Sequence, residues 1–128
     1  MDFNIKEGLN CLIEKKVTQN DTAVKFESGT LQVFATPGMI ALMENTSKNC
    51  VDLHLPCGYT TVGIEVRIRH IKATPIGMKV KCEAKLVKVE GKKLYFNVTA
   101  WDEIGKIGIG THVRYIVHEK EFMEKIQD

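Results

Sequence analysis

The chain has 128 residues, with 18 Lys and Arg against 16 Asp and Glu for a formal charge of +2. That length supports one sizeable core and is short for two, so residues 1–128 are expected to form a single domain. The interleaved charges make no basic field for nucleic acid, no run approaches the roughly 18 apolar residues of a membrane span, and the acidic start MDFNIKEGLN has no apolar targeting core, so a cytoplasmic protein is expected.

Leu9 to Val17 reads as a first strand, followed by the polar, Gly-terminated stretch TQNDTAVKFESGT, which reads as a loop covering something. From Pro37 the period lengthens. At 100° per residue Met39, Met43, Thr46 and Cys50 fall on one line and Ile40, Ser47 and Val51 on the next, leaving Ala41, Asn45 and Lys48 opposite. This is an amphipathic helix: Thr36 fits its N-cap, Pro37 its first position, and it ends near Leu53, before Pro56.

After PCGYTT the alternation is strict, placing Val62, Ile64, Val66, Ile68 and His70 on one face of a strand and Glu65, Arg67 and Arg69 on the other. Three more strands follow. Met78 to Val89 alternates through Val80, Cys82, Ala84 and Leu86; a turn at Glu90-Gly91 leads to Leu94, Phe96, Val98 and Ala100; and the turn DEIGK leads to a last strand in which Ile107, Ile109, Thr111, Val113 and Tyr115 share a face. The tail EKEFMEKIQD reads as a short helix. The order predicts an α+β fold, an antiparallel sheet covering one long helix, and the open edge such a sheet leaves predicts a symmetric homodimer.

Cys11, Cys50, Cys57 and Cys82 lack the close pairing of zinc ribbons or redox sites, and each falls beside apolar residues, so they read as reduced thiols packed as small hydrophobes. His54, His70, His112 and His118 show no metal-ligand spacing. Chemistry without a metal or cofactor is expected.

Four side chains are open to two readings each. His70 is either a satisfied core histidine or a general acid or base at an apolar wall, and Glu44, at the margin of the helical stripe, is either a solvated flank or a base facing a cleft. Thr36 caps the helix, and the free amides after it suit a developing oxyanion. Arg114, on the face opposite Val113 and Tyr115, is either an exposed sheet arginine or part of a site.

Taken together, ATPGMIALME, GYTTVGIEVRIRHIKATPIGMKV and VEGKKLYFNVTAWDEIGKIGIGTHVR resemble, in order and spacing, the fluoroacetyl-CoA thioesterase-like branch of the hot dog-fold thioesterases, over about residues 9 to 117. The resemblance implies one hot dog domain and hydrolysis of a short acyl-CoA to free acid and coenzyme A, in a cleft between two protomers. It places the catalytic residues at Thr36, Glu44 and His70 and the substrate-binding ones at Gly63, whose amide helps hold the thioester carbonyl, and Arg114. Coenzyme A enters as part of the substrate. Where the fluoroacetyl-specialised members carry an apolar and aromatic lid, NDTAVKFESGT is mainly polar. Lys72 and Lys79 are candidates for the coenzyme A phosphates. Two other functions compete: a non-catalytic dimeric module that binds acyl-CoA or another small ligand, and a hot dog-fold acyl-CoA hydratase or dehydratase, which leaves Thr36 without a role.

Overall fold

The computed structural model describes residues 3–127. In chain order it contains β1 (Asn10–Lys16), a short 3-10 turn (Gln19–Asp21), α1 (Thr36–Asp52), β2 (Tyr59–His70), β3 (Lys79–Glu90), β4 (Lys93–Trp101), β5 (Lys106–His118) and α2 (Glu119–Gln127). The strands form one antiparallel sheet in the order β1-β3-β4-β5-β2, and α1 packs against every one of them. The expected α+β plan is the one observed.

The core follows from two periods meeting. Val80, Cys82, Ala84 and Leu86 of β3 and Leu94, Phe96, Val98 and Ala100 of β4 are all buried, and so are Met39, Met43, Cys50 and Val51 of α1. Each fully buried Leu or Phe side chain contributes roughly 1.5–3 kcal/mol. Polar residues inside the helical stripe are satisfied within the helix: Thr46 Oγ1 donates to the Leu42 carbonyl at 2.7 Å and Ser47 Oγ to that of Met43 at 2.8 Å. Burial pushes the Cys50 thiol up to about 12 and that of Cys82 to about 11, so neither is a nucleophile at neutral pH. Cys57, expected to pack as a small hydrophobe, is exposed.

The loop over residues 18–35 closes on the start of α1. Its Phe34 and Thr22 are buried, the Ala35 amide donates to the Asp21 carbonyl at 2.8 Å, and a Cβ on Gly38 would lie 3.2 Å from Phe34 Cε1 and 3.3 Å from Asp21 O. The loop therefore covers the first helical turn, as its length and polarity predict.

Three expectations about faces and caps need correction. First, the helix begins one residue earlier: the Met39 amide bonds the Ala35 carbonyl, which makes Ala35 the N-cap, Thr36 the first helical residue and Pro37 the second. Thr36 therefore does not cap the helix. Second, the alternation of β2 reads as unbroken but is not, because a bulge at Ile64 shifts the pairing between Gly63 and Glu65. Thr61 and Gly63 point toward α1 and Val62 sits outside opposite Tyr115, whereas beyond the bulge Val66, Ile68 and His70 point inward opposite His112, Gly110 and Gly108. Third, the inward face of β5 is Gly108, Gly110, His112 and Arg114, which makes Arg114 a buried residue, 6% exposed, and not a sheet-surface one.

The two glycines have a packing reason. A Cβ on Gly108 would collide with the thioether of Met39, and one on Gly110 with the Arg67 carbonyl, so only glycine lets α1 and β2 approach β5 this closely. Among the described residues no helix is long and apolar enough to cross a membrane.

Candidate active site

The candidate residues fall into two groups. In the first, Thr36 Oγ1 lies 2.8 Å from His70 Nδ1. With its hydroxyl freed from capping, the first residue of α1 joins the last residue of β2. The other ring nitrogen, His70 Nε2, is buried without a hydrogen-bond partner among the described residues. Burial lowers the pKa of His70, with the Lys72 main chain working against that shift, so the imidazole is neutral at neutral pH. A cleft of about 340 Å³ opens beside the pair, lined by Ala23, Ser28, Val33, Phe34 and Ala73 among others.

The second group gathers on the inward side of the bulge. Glu44 Oε2 lies 3.9 Å from Arg114 Nη1 and only 2.8 Å from where a Cβ on Gly63 would sit. A glycine there is what admits the carboxylate. Arg114 is held on its other edges: Nε donates to Thr61 Oγ1 at 2.7 Å and Nη2 to the Thr61 carbonyl at 2.9 Å. Nη1 meets His112 Nε2 at 3.1 Å. The Glu44 side chain is 42% exposed and that of Arg114 7%, so the pair presents an anionic face outward on a buried cationic support.

Within one chain the groups stay apart. Eight residues of α1 separate Thr36 from Glu44, about 12 Å at 1.5 Å each, and seven residues of β2 separate Gly63 from His70, on the order of 20 Å. Among the described residues no hydrogen bond or ion pair joins Thr36 or His70 to Glu44, Gly63 or Arg114.

A third cluster braces the chain beyond His70. The fully buried Asp102 carboxylate accepts from Lys72 Nζ at 2.7 Å, Thr74 Oγ1 at 2.9 Å and the amides of Ile104 and Gly105 at 2.8 and 3.0 Å. Those hydrogen bonds hold its pKa well below the ordinary carboxylate range, against the upward push of burial. Lys72, considered for the coenzyme A phosphates, is paired here with Asp102. Sequence reasoning missed this cluster and passed over Thr61 and His112. His112 had a signal available: two residues before Arg114 on one strand, it shares whatever face Arg114 takes.

Among the described residues no group of three or more His, Cys, Asp or Glu is placed to hold a metal ion.

An antiparallel sheet wrapped round one long helix is the hot dog arrangement, and here it carries a hydroxyl–imidazole pair at the helix start and a carboxylate two turns in. The family model described as fluoroacetyl-CoA-specific thioesterase matches residues 17–120, and the chain belongs to that family and is a thioester hydrolase acting on acyl-CoA. The fluoroacetyl-CoA thioesterase of Streptantibioticus cattleyicolor is 36% identical over 96 residues, 75% of this chain and 69% of that one. A solved structure of the fluoroacetyl-CoA thioesterase FlK superposes with a TM-score of 0.92 at 29% identity, covering 97% of this chain and 96% of that one. A thioesterase superfamily member from Thermus thermophilus gives 0.88 at 28% identity, covering 96% and 91%.

Proposed function

We propose that the protein hydrolyses a short acyl-CoA in a site built from two copies of the chain, Glu44, Gly63 and Arg114 coming from one protomer and Thr36 and His70 from the other. The observation that carries this reading is the separation of the two groups: one thioester carbonyl cannot reach both within a chain, yet each group is organised on its own. The β2 edge supports pairing, since it is unpaired on one side and carries the exposed β-branched residues Ile64 and Val66. Small-acyl selectivity is supported by the cleft beside Thr36, walled by Ala23, Ala35, Ala73 and Phe34. A variant of the solved FlK enzyme, 30% identical to this chain, is a complex with fluoroacetate and CoA, which supports the same substrate class here.

The chemistry asks little of the leaving group, because a thiol with a pKa near 8.5 departs as thiolate without strong acid help. The demanding step is addition to the carbonyl. Glu44, beside the Arg114 guanidinium, activates a water or attacks directly, while the Thr36 hydroxyl and the Gly63 amide steady the carbonyl oxygen. The bulge beside Gly63 interrupts the ladder there, which favours a free amide. His70 moves the proton, its Nδ1 oriented by Thr36 and its Nε2 left for substrate or water. Arg114 Nη1 faces the same spot, so it meets the substrate beside Glu44.

Thiol release from a panel of short acyl-CoAs, including acetyl- and fluoroacetyl-CoA, tests the reading. Turnover of small acyl groups above longer ones supports it, and thiol release confined to long chains overturns the small-acyl assignment. Isotope-labelled water in a single turnover separates the two routes: label entering the Glu44 carboxylate marks direct attack, and its absence marks a water nucleophile.

A further inference from the structure

His112 is 1% exposed, in the middle of β5, and neither ring nitrogen is idle. Nδ1 lies 2.8 Å from the Glu65 carbonyl, next to the β2 bulge. A carbonyl can only accept, so Nδ1 carries the proton and Nε2 keeps its lone pair. That lone pair takes the Nη1–H of Arg114 at 3.1 Å, while the ring stacks on Phe96 with centroids 6.5 Å apart. Cε1 lies 3.1 Å from the Cβ position of Gly63, against the same space that Glu44 enters.

We infer that His112 is a positioning residue for the hydrolysis: fixed as the Nδ1–H tautomer by the Glu65 carbonyl, it holds Arg114 Nη1 at the angle that presents Glu44 over Gly63. This rests on the reading of Glu44 given above. The alternative donors and acceptors do not substitute for it. Thr61 already takes Nε and Nη2 of Arg114, which leaves Nη1 with two partners, Glu44 on the solvent side and His112 on the core side. Without the inner acceptor, a buried Nη1–H is left unpaired and the guanidinium is held from one side only, by Thr61, so the whole fork can tilt and carry the Glu44 carboxylate off the glycine. The charged groups facing His112 are Arg114 on its own strand and Glu44 from α1. Burial lowers its pKa and Arg114 adds to the effect, with the Glu65 carbonyl and Glu44 opposing, which agrees with a neutral ring.

The experiment compares wild type, His112→Leu and His112→Gln by thiol release from acetyl-CoA, with nitrogen-detected NMR of the wild-type imidazole. Gln is informative because its amide can donate to the Glu65 carbonyl while its oxygen accepts from Arg114. The expected result is a neutral, Nδ1-protonated ring, a His112→Leu kcat lowered about 10- to 100-fold with KM nearly unchanged, and recovery of most of the loss in His112→Gln. A ring protonated at Nε2, a His112→Leu variant with wild-type kcat, or Leu and Gln equally impaired overturns the inference. Full kcat in Glu44→Gln would instead defeat the reading of Glu44, and the tautomer measurement still decides the part played by His112.

Discussion

Thr36 Oγ1 and His70 Nδ1 lie 2.8 Å apart, joining the first residue of the central helix to the last residue of an edge strand. Because Ala35 and not Thr36 caps the helix, the hydroxyl has no structural duty that the contact with His70 does not explain. Thr36→Ala is therefore expected to lower kcat by about 10²- to 10³-fold, as loss of one donor to a developing oxyanion does, and to leave stability within about 0.5 kcal/mol. Thr36→Ser should keep most of the activity. Steady-state kinetics and a denaturant titration of the three proteins check this; wild-type kcat in Thr36→Ala would contradict a part for the hydroxyl in the reaction.

Gly63→Ala is expected to damage activity far more than stability. The added methyl would fall 2.8 Å from Glu44 Oε2, 3.1 Å from His112 Cε1 and 3.4 Å from Arg114 Nη1. Its nearest neighbour is the end of a flexible, 42% exposed side chain, which can move away at small cost. Moving it displaces the carboxylate, and a shift of about 1 Å can cost a hundredfold in rate. The comparison is kcat against thermal midpoint.

What could be read beforehand, and what could not, has a physical pattern. The alternation of β3 and β4 predicts their inward faces correctly, since Val80 to Leu86 and Leu94 to Ala100 run without interruption along buried strands. On β2 the same pattern misleads: both faces of this edge strand carry apolar residues, so Val62, Ile64 and Val66 look continuous while the bulge moves the first two outside. The error propagates, because a strand phase that hides Gly63 also hides why Arg114 is buried. Thr36, Glu44 and His70 were legible as candidates from their residue types and order. Their division into two groups was not, since which end of β2 lies beside Thr36 and which beside Glu44 depends on how the strand crosses the helix.

Asp102→Ala is expected to cost about 2–4 kcal/mol, because a buried carboxylate with four donors is removed and those donors lose their acceptor. Asp102→Asn should fall between, keeping the amide contacts of Ile104 and Gly105 and weakening the pair with Lys72. The cluster braces the segment that follows His70, so kcat should decline with stability in the same order. Denaturation midpoints alongside thiol release measure both.

Stability should fall as pH drops below 6.5. His70 and His112 both have their pKa lowered by burial from the ordinary imidazole value of 6.5, so in that window the unfolded chain binds more protons than the folded one. The loss begins near 6.5 and levels off below the folded values. Asp102, whose pKa is also lowered but by hydrogen bonds that favour its charged form, adds stability above its ordinary value of 3.8 that is lost as pH falls below it. Urea unfolding at a series of pH values should show the first decline, and His112→Gln should make it shallower.

The two-protomer site can be tested by mixing. Glu44→Gln and His70→Ala, each inactive as purified, are unfolded together and refolded so that their chains pair at random. If Glu44 of one chain works with Thr36 and His70 of the other, every mixed dimer contains one site with both groups intact, and about a quarter of wild-type activity should return. If each site is built within a single chain, every site in the mixture carries one of the two substitutions, and the refolded mixture stays as inactive as its components.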